Sequence, residues 1–198
     1  MEKHQTLLSN VAKCGKNMNF FEKVIKMGAN VNWTNDTGAT ALMTACKSGN
    51  YEMCSRLIEL GASQNRHQYT TLLYLCRSGN DNVDILELLL ANGADIQQST
   101  RDGSNALHFA ARSASVNIVK KLLEIGISVN SVNACSQTPL HSVLNYSGTE
   151  KDILVVVKTL VEAGADVNAK NVSGITPLEH ASKIISLRKV FKYLNSLQ

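Results

Sequence analysis

Apolar residues recur along the chain in two alternating patterns. The longer pattern places them at helical spacing, in Met53-Cys54-Ser55-Arg56-Leu57-Ile58, Ile85-Leu86-Glu87-Leu88-Leu89-Leu90, Ile118-Val119-Lys120-Lys121-Leu122-Leu123 and Val155-Val156-Val157-Lys158-Thr159-Leu160-Val161. Each run predicts a helix with one buried face. A glycine template follows this pattern: Gly28-Ala29-Asn30-Val31-Asn32, Gly61-Ala62-Ser63, Gly93-Ala94-Asp95-Ile96, Gly126-Ile127-Ser128-Val129-Asn130 and Gly164-Ala165-Asp166-Val167-Asn168. The glycine is a left-handed helix stop, because it lacks the Cβ that makes this conformation costly. Its copies lie 32 to 38 residues apart, which defines an internal repeat.

The shorter pattern opens on Thr40-Ala41-Leu42-Met43, Asn105-Ala106-Leu107-His108, Thr138-Pro139-Leu140-His141 and Thr176-Pro177-Leu178-Glu179, with weaker copies at Thr70-Thr71-Leu72-Leu73 and Thr6-Leu7-Leu8-Ser9. Threonine caps a helix by accepting from its unpaired amides, and proline fits the first turn because it has no amide to satisfy. Small residues follow one turn later, at Ala45-Cys46, Ala110-Ala111 and Ala181-Ser182, and allow a neighbouring helix to approach closely. Turns such as Lys47-Ser48-Gly49-Asn50 then reverse the chain.

This succession of helix, turn, helix and polar hairpin resembles the ankyrin repeat, whose Thr-Pro-Leu-His-x-Ala signature is matched best at Thr138 to His141 and Asn105 to Ala110. The resemblance covers essentially the whole chain. It implies an all-α fold, a solenoid of stacked helix-turn-helix units with short β-hairpin loops. Residues 1–198 are expected to form a single domain, with repeats at about 1–34, 35–66, 67–98, 99–132, 133–170 and 171–198. The terminal repeats are expected to act as caps of a complete array. Lys3, His4, Gln5 and Lys16 would face water at one end and Arg188, Lys189, Lys192 and Gln198 at the other. Ile184, Ile185, Leu187, Val190, Phe191 and Leu194 would pack the last helix.

Two departures from the period stand out. The third hairpin is expected to be short around Arg66-His67-Gln68-Tyr69, and the fifth repeat carries extra residues between Leu144 and Leu154. That longer turn reads equally as a functional loop or as tolerated drift.

Composition narrows the function classes. A hydrophobic content of 44% allows a real core, and a net charge of +4 spread along the chain argues against a phosphate-binding patch. No stretch is apolar enough for a signal peptide or a membrane span. Five cysteines without a CxxC pair fit a reducing compartment, cytoplasmic or nuclear. Cys46, Cys54 and Cys76 fall on packing positions as small hydrophobes, whereas Cys135 is expected to be exposed near a hairpin tip. His67 and His180 have no acidic or cysteine partner at ligand spacing, and no nucleophile, phosphate loop, cofactor or metal motif can be assembled. By the resemblance, His108 and His141 would bond neighbouring backbone, and the chain would not be an enzyme.

The resemblance also implies where a protein partner would be held, on a concave face made by hairpin tips and first helices. Carried onto this sequence, that face comprises Trp33, Asp36, Lys47, Tyr69, Arg77, Arg101, Asp102, Phe109, Arg112, Cys135, Tyr146 and Lys183. Trp33, Tyr69, Phe109 and Tyr146 supply aromatic area of the kind that anchors interfaces. The position after the paired small residues reads Lys13, Lys47, Arg77, Arg112, Asn145 and Lys183, a basic series suited to an acidic or phosphorylated segment. Such long side chains also commonly cover apolar surface. Two other readings are nucleic-acid binding by the same basic series, and hydroxylation of hairpin asparagines at Asn65, Asn130 and Asn168, which the resemblance allows.

Overall fold

The chain folds as successive helical hairpins, and a side-chain cap from threonine or asparagine opens most of their helices. The computed structural model describes residues 2–14, 17–64, 70–146 and 148–197, with side chains from residue 7 onward. Contacts group these residues into two units, Met1–Asp95 and Ile96–Gln198.

The first unit contains α1 (Glu2–Cys14), α2 (Met18–Lys26), α3 (Ala41–Ser48), α4 (Tyr51–Glu59), α5 (Thr71–Arg77) and α6 (Val83–Ala91). Thr40 and Thr70 cap α3 and α5, their hydroxyls accepting from Met43 N at 3.1 Å and Leu73 N at 3.3 Å. The second helices are capped by asparagine, with Asn50 Oδ1 accepting from Met53 N and Asn82 Oδ1 from Ile85 N. α3 packs on α1, α4 and α5, while α6 packs on α4 and α5. Leu42, Met53, Leu57, Leu72, Leu75, Ile85, Leu86 and Leu89 are fully enclosed between them. Each such side chain contributes about 1.5–3 kcal/mol. Ala45 and Cys46 are also fully buried, as the close approach of α3 to its neighbours requires.

The second unit contains α7 (Ala106–Arg112), α8 (Val116–Ile125), α9 (Pro139–Val143), α10 (Glu150–Glu162), α11 (Pro177–Ser182), a 3₁₀ turn (Ile185–Leu187) and α12 (Arg188–Asn195). Leu107, Ile118, Val119, Leu122, Leu140, Val156, Val157 and Leu160 form its core. The five glycines expected to end the second helices, Gly28, Gly61, Gly93, Gly126 and Gly164, all adopt positive φ.

The connecting tips form no strand among the described residues. They hold only isolated bridges, at Thr34↔Thr40 and Ser99↔Asn105. Side chains do the work of a ladder instead. Asn35 Oδ1 accepts from Thr37 N and Ala39 N, Asn133 Oδ1 from Cys135 N and Gln137 N, and Asn171 Oδ1 from Ser173 N and Ile175 N. These asparagine turns satisfy the tip amides locally.

The expected short hairpin at Arg66 to Tyr69 lies outside the described residues. The fifth-repeat insertion is partly helical, because Thr149 caps α10 and gives it 13 residues, against 9 in α4. The added turn brings the Glu150 carboxylate onto Lys189 N, one of the unpaired amides that open α12. Glu150→Ala is expected to cost about 1 kcal/mol, as loss of a cap does. Urea denaturation measures this, and an unchanged midpoint would deny the insertion its structural role.

At the C-terminal end, Leu187, Val190 and Leu194 are buried as expected, but Ile185 is 97% exposed. The helical packing face is interrupted because Ile185 begins a 3₁₀ turn, so the chain changes direction before α12 starts.

Candidate functional site

In the second unit the tips and first helices enclose a cleft of about 310 Å³. One wall is formed by Asp102, Ser104, Asn133 and Gln137 from two successive tips, the other by His108, Phe109 and Arg112 of α7 with Ser142 and Asn145 of the α9 segment. The tip wall is tied together by backbone bonds: Ala134 N donates to Asp102 O at 2.7 Å, and Val172 N donates to Cys135 O at 3.0 Å. Gly103 permits this approach. Its φ is +76°, and a Cβ there would meet Asn133 Cα at 3.4 Å.

Two histidines tie the first helices to the tips, and His108 lines the cleft. His141 Nδ1 accepts from Thr138 N at 3.2 Å, and its Nε2 lies 3.1 Å from Ile175 O. That pattern assigns the proton to Nε2, which donates to the carbonyl. His108 reaches Gln137 O with Nε2 at 2.9 Å, and its Nδ1 lies 2.7 Å from Asn105 Oδ1 and 3.4 Å from Asn105 N. Each ring thereby ties one first helix to the tip of the next repeat. Burial pushes both imidazoles below their ordinary pKa, opposed by the carbonyl each one bonds. Both rings serve as structural links.

Charge in the cleft is oriented by its hydroxyls. Thr100 Oγ1 donates to one oxygen of Asp102, and Ser104 Oγ donates to the other at 2.9 Å. The Thr100 bond, followed by that from Ser104, holds the Asp102 carboxyl below its usual range, against partial desolvation. The Arg112 side chain is exposed at the end of α7.

The expected partner-binding residues are placed as follows. Asp102, Phe109 and Arg112 meet in this cleft, and Asn145 of the basic-series register joins them. Phe109 is only 8% exposed, so it supports the wall and offers a partner little area. Arg101, Cys135 and Lys183 are exposed and Tyr146 is half-buried elsewhere in the second unit. In the first unit Asp36, Lys47 and Arg77 are exposed and Trp33 is half-buried, while Tyr69 lies outside the described residues. Lys13, Lys47, Arg77 and Arg112 each fall in the last turn of a first helix, where a cation is favoured by the helix dipole.

Asn133, Gln137, Ser104 and Ser142 were not expected in the site. A signal existed, since Asn35, Asn133 and Asn171 each stand five residues before a helix-opening threonine. Of the hairpin asparagines considered for hydroxylation, Asn130 is engaged on both sides of its amide, donating to Gly164 O at 3.0 Å and accepting from Asp166 N at 2.8 Å. Asn168 is exposed and Asn65 lies outside the described residues.

Among the described residues, no group of three histidine, cysteine or acidic side chains is arranged to hold a metal ion, and no helix is long and apolar enough to cross a membrane. Cys46 Sγ lies 3.6 Å from Cys54 Sγ, and that contact together with burial pushes the Cys46 thiol up. Burial pushes Cys76 up to about 12. Alkylation of the native chain is expected to modify exposed Cys14 and Cys135 rapidly and the three buried thiols only on unfolding. Mass spectrometry of a timed reaction checks this, and early labelling at Cys46 or Cys76 would contradict it.

A family model for ankyrin repeats matches residues 8–100, 80–133 and 107–196. The ankyrin repeat and KH domain-containing protein mask-1 of Caenorhabditis elegans is 36% identical over 107 residues, which are 52% of this chain and 4% of that protein. The Escherichia coli ankyrin repeat protein YahD is 32% identical over 135 residues, 66% of this chain and 67% of YahD. The fowlpox virus ankyrin repeat protein FPV031 is 31% identical over 143 residues, 67% of this chain and 42% of that protein. A crystal structure of an ankyrin repeat domain from Acinetobacter baumannii is similar with a TM-score of 0.71 at 30% identity, covering 96% of each chain.

Proposed function

Because the chain belongs to the ankyrin-repeat family, whose members are generally protein-interaction modules, we propose that it is a non-catalytic adaptor, inhibitor or effector that holds a protein segment in the cleft of its second unit. The observation that carries this reading is the convergence of Asp102, Phe109, Arg112 and Asn145 with the tip residues Asn133 and Gln137 around one opening. The tip wall is braced by backbone bonds, so the site is formed before a partner arrives and little ordering cost attends binding. Arg112 gives the segment an acidic or phosphorylated side chain to meet, through a forked charge-assisted hydrogen bond. Asn145 and Gln137 give it amides to pair with. The compartment would be cytoplasm or nucleus.

Phe109 is unsuitable for the decisive test, since truncating a buried ring would disturb the fold. Affinity capture from cell extract with the intact chain and with Arg112→Glu is expected to show at least one protein depleted about tenfold or more by the charge reversal. Identical captured sets from two equally stable proteins would reject the cleft as the site. Capture of nucleic acid in place of protein, lost as salt rises, would favour the other use of the basic series.

A further inference from the structure

The residues lining the tip cleft of the second unit include one carboxylate, Asp102, and one guanidinium, Arg112. Both side chains are exposed, the first on a tip and the second in the last turn of α7. They do not pair with each other, since the ion pairs among the described residues lie elsewhere, at Arg56 with Glu22 and with Glu59. Arg112 belongs to the basic register it shares with Lys13, Lys47, Arg77 and Lys183, but Asp102 departs from its own. One residue before the positive-φ position of the turn, the other described tips carry Thr37, Cys135 and Ser173, none of them acidic.

The Asp102 carboxylate is aimed by its neighbours. The hydroxyls of Thr100 and Ser104 donate one to each of its oxygens. A carboxylate offers about four acceptor sites, so it keeps room for donors from a ligand. The seven residues of α7 rise about 1.5 Å each, which sets the two charges roughly 10 Å apart along the cleft. An extended segment advances about 3.3 Å per residue and turns alternate side chains to one face. Two side chains placed two or four positions apart on such a segment reach both charges.

We infer that the tip cleft selects a segment of mixed charge, in which a lysine or arginine meets Asp102 and, two or four residues away, an acidic side chain meets Arg112. The inference rests on the reading of this cleft as the partner site and narrows it. Arg112 alone would favour any anionic segment, a nucleic-acid strand included. Asp102 opposes a ligand that is negative throughout, because it sets like charge against like within the same opening. Attraction at one end and exclusion at the other together define the partner.

The test is an NMR titration of the ¹⁵N-labelled full chain at low salt, where exposed charges are least screened. The probes are short synthetic peptides of glycine and serine that carry two further residues, arginine with glutamate, glutamate twice, arginine twice or glutamine twice, each pair at spacings of two and of four. Amide shifts in residues 102–112 and 133–145 report occupancy of the cleft. The arginine–glutamate peptide is expected to bind about fivefold more tightly than the other three. Asp102→Asn, which keeps the size of the side chain, is expected to weaken only the peptides that carry arginine. Arg112→Gln is expected to weaken only those that carry glutamate. Both positions are at the surface, and thermal melts confirm that each variant is folded. Equal binding of all four peptides overturns the inference. So does tightest binding of the double-glutamate peptide that responds to Arg112→Gln and ignores Asp102→Asn, which leaves the cleft as a site for acidic segments. Shifts that fall outside the cleft, or none with any peptide, overturn the reading of the cleft as well.

Discussion

Replacing His141 with alanine is expected to lower the unfolding free energy by about 3 kcal/mol. The ring is fully buried and serves three groups at once: it accepts from Thr138 N at 3.2 Å, pairs with Thr138 Oγ1 at 3.0 Å and reaches Ile175 O at 3.1 Å. Alanine would leave the Thr138 amide and the Ile175 carbonyl without that partner and open a void beneath α9. Unsatisfied buried groups cost about 1–3 kcal/mol each, and the void adds to this. Urea denaturation at neutral pH measures the loss. A change below about 1 kcal/mol would mean that the repeat interface can close around the missing ring, and the histidine link would not be the structural tie described above.

Acid is expected to act through the same rings. Burial holds His108 and His141 below the ordinary value of 6.5. As pH falls through that value the unfolded chain takes up protons that the folded chain does not. Their contribution to stability is therefore complete above about pH 6.5 and declines as the pH drops toward the folded pKa values. Asp102 tempers the effect at His108 by favouring its cation. Half-buried His180, depressed by burial, by His141 and by Lys183, adds to it. Urea midpoints compared between pH 7 and pH 5 provide the measurement, and a flat profile across that interval would contradict the depression of both rings by burial.

The repeat frame was legible because each of its elements has a local cause. Threonine at 40, 70, 138 and 176 caps the following helix through its own side chain, and the closing glycines reach positive φ without help from neighbours. The histidines were readable from their register for the same reason, since three residues separate each ring from the cap it bonds. The sites were less legible. Phe109 looks like an anchor in the sequence but is buried, because an aromatic residue beside two fully buried alanines sits where the helices pack most closely. Ile185 shows the converse, a residue in apolar register left in solvent by a 3₁₀ turn that no local propensity announces. A cleft of about 390 Å³ beside Leu88, lined also by Tyr51, Asp84, Glu87 and Ala91, was missed because each of these residues is ordinary alone.

By itself, then, the sequence determined the family, the period, the helix ends and the absence of familiar catalytic motifs, all of which follow from interactions within a few residues. Tertiary structure decided which polar side chains converge on an opening. It joined Asp102 to Ala134 and Cys135 to Val172 through their backbones, turned the fifth-repeat insertion into a cap for α12, and opened a cleft beside Leu88. These are contacts between residues some 30 or more positions apart or between neighbouring helix faces, and their geometry depends on how each repeat seats on the next.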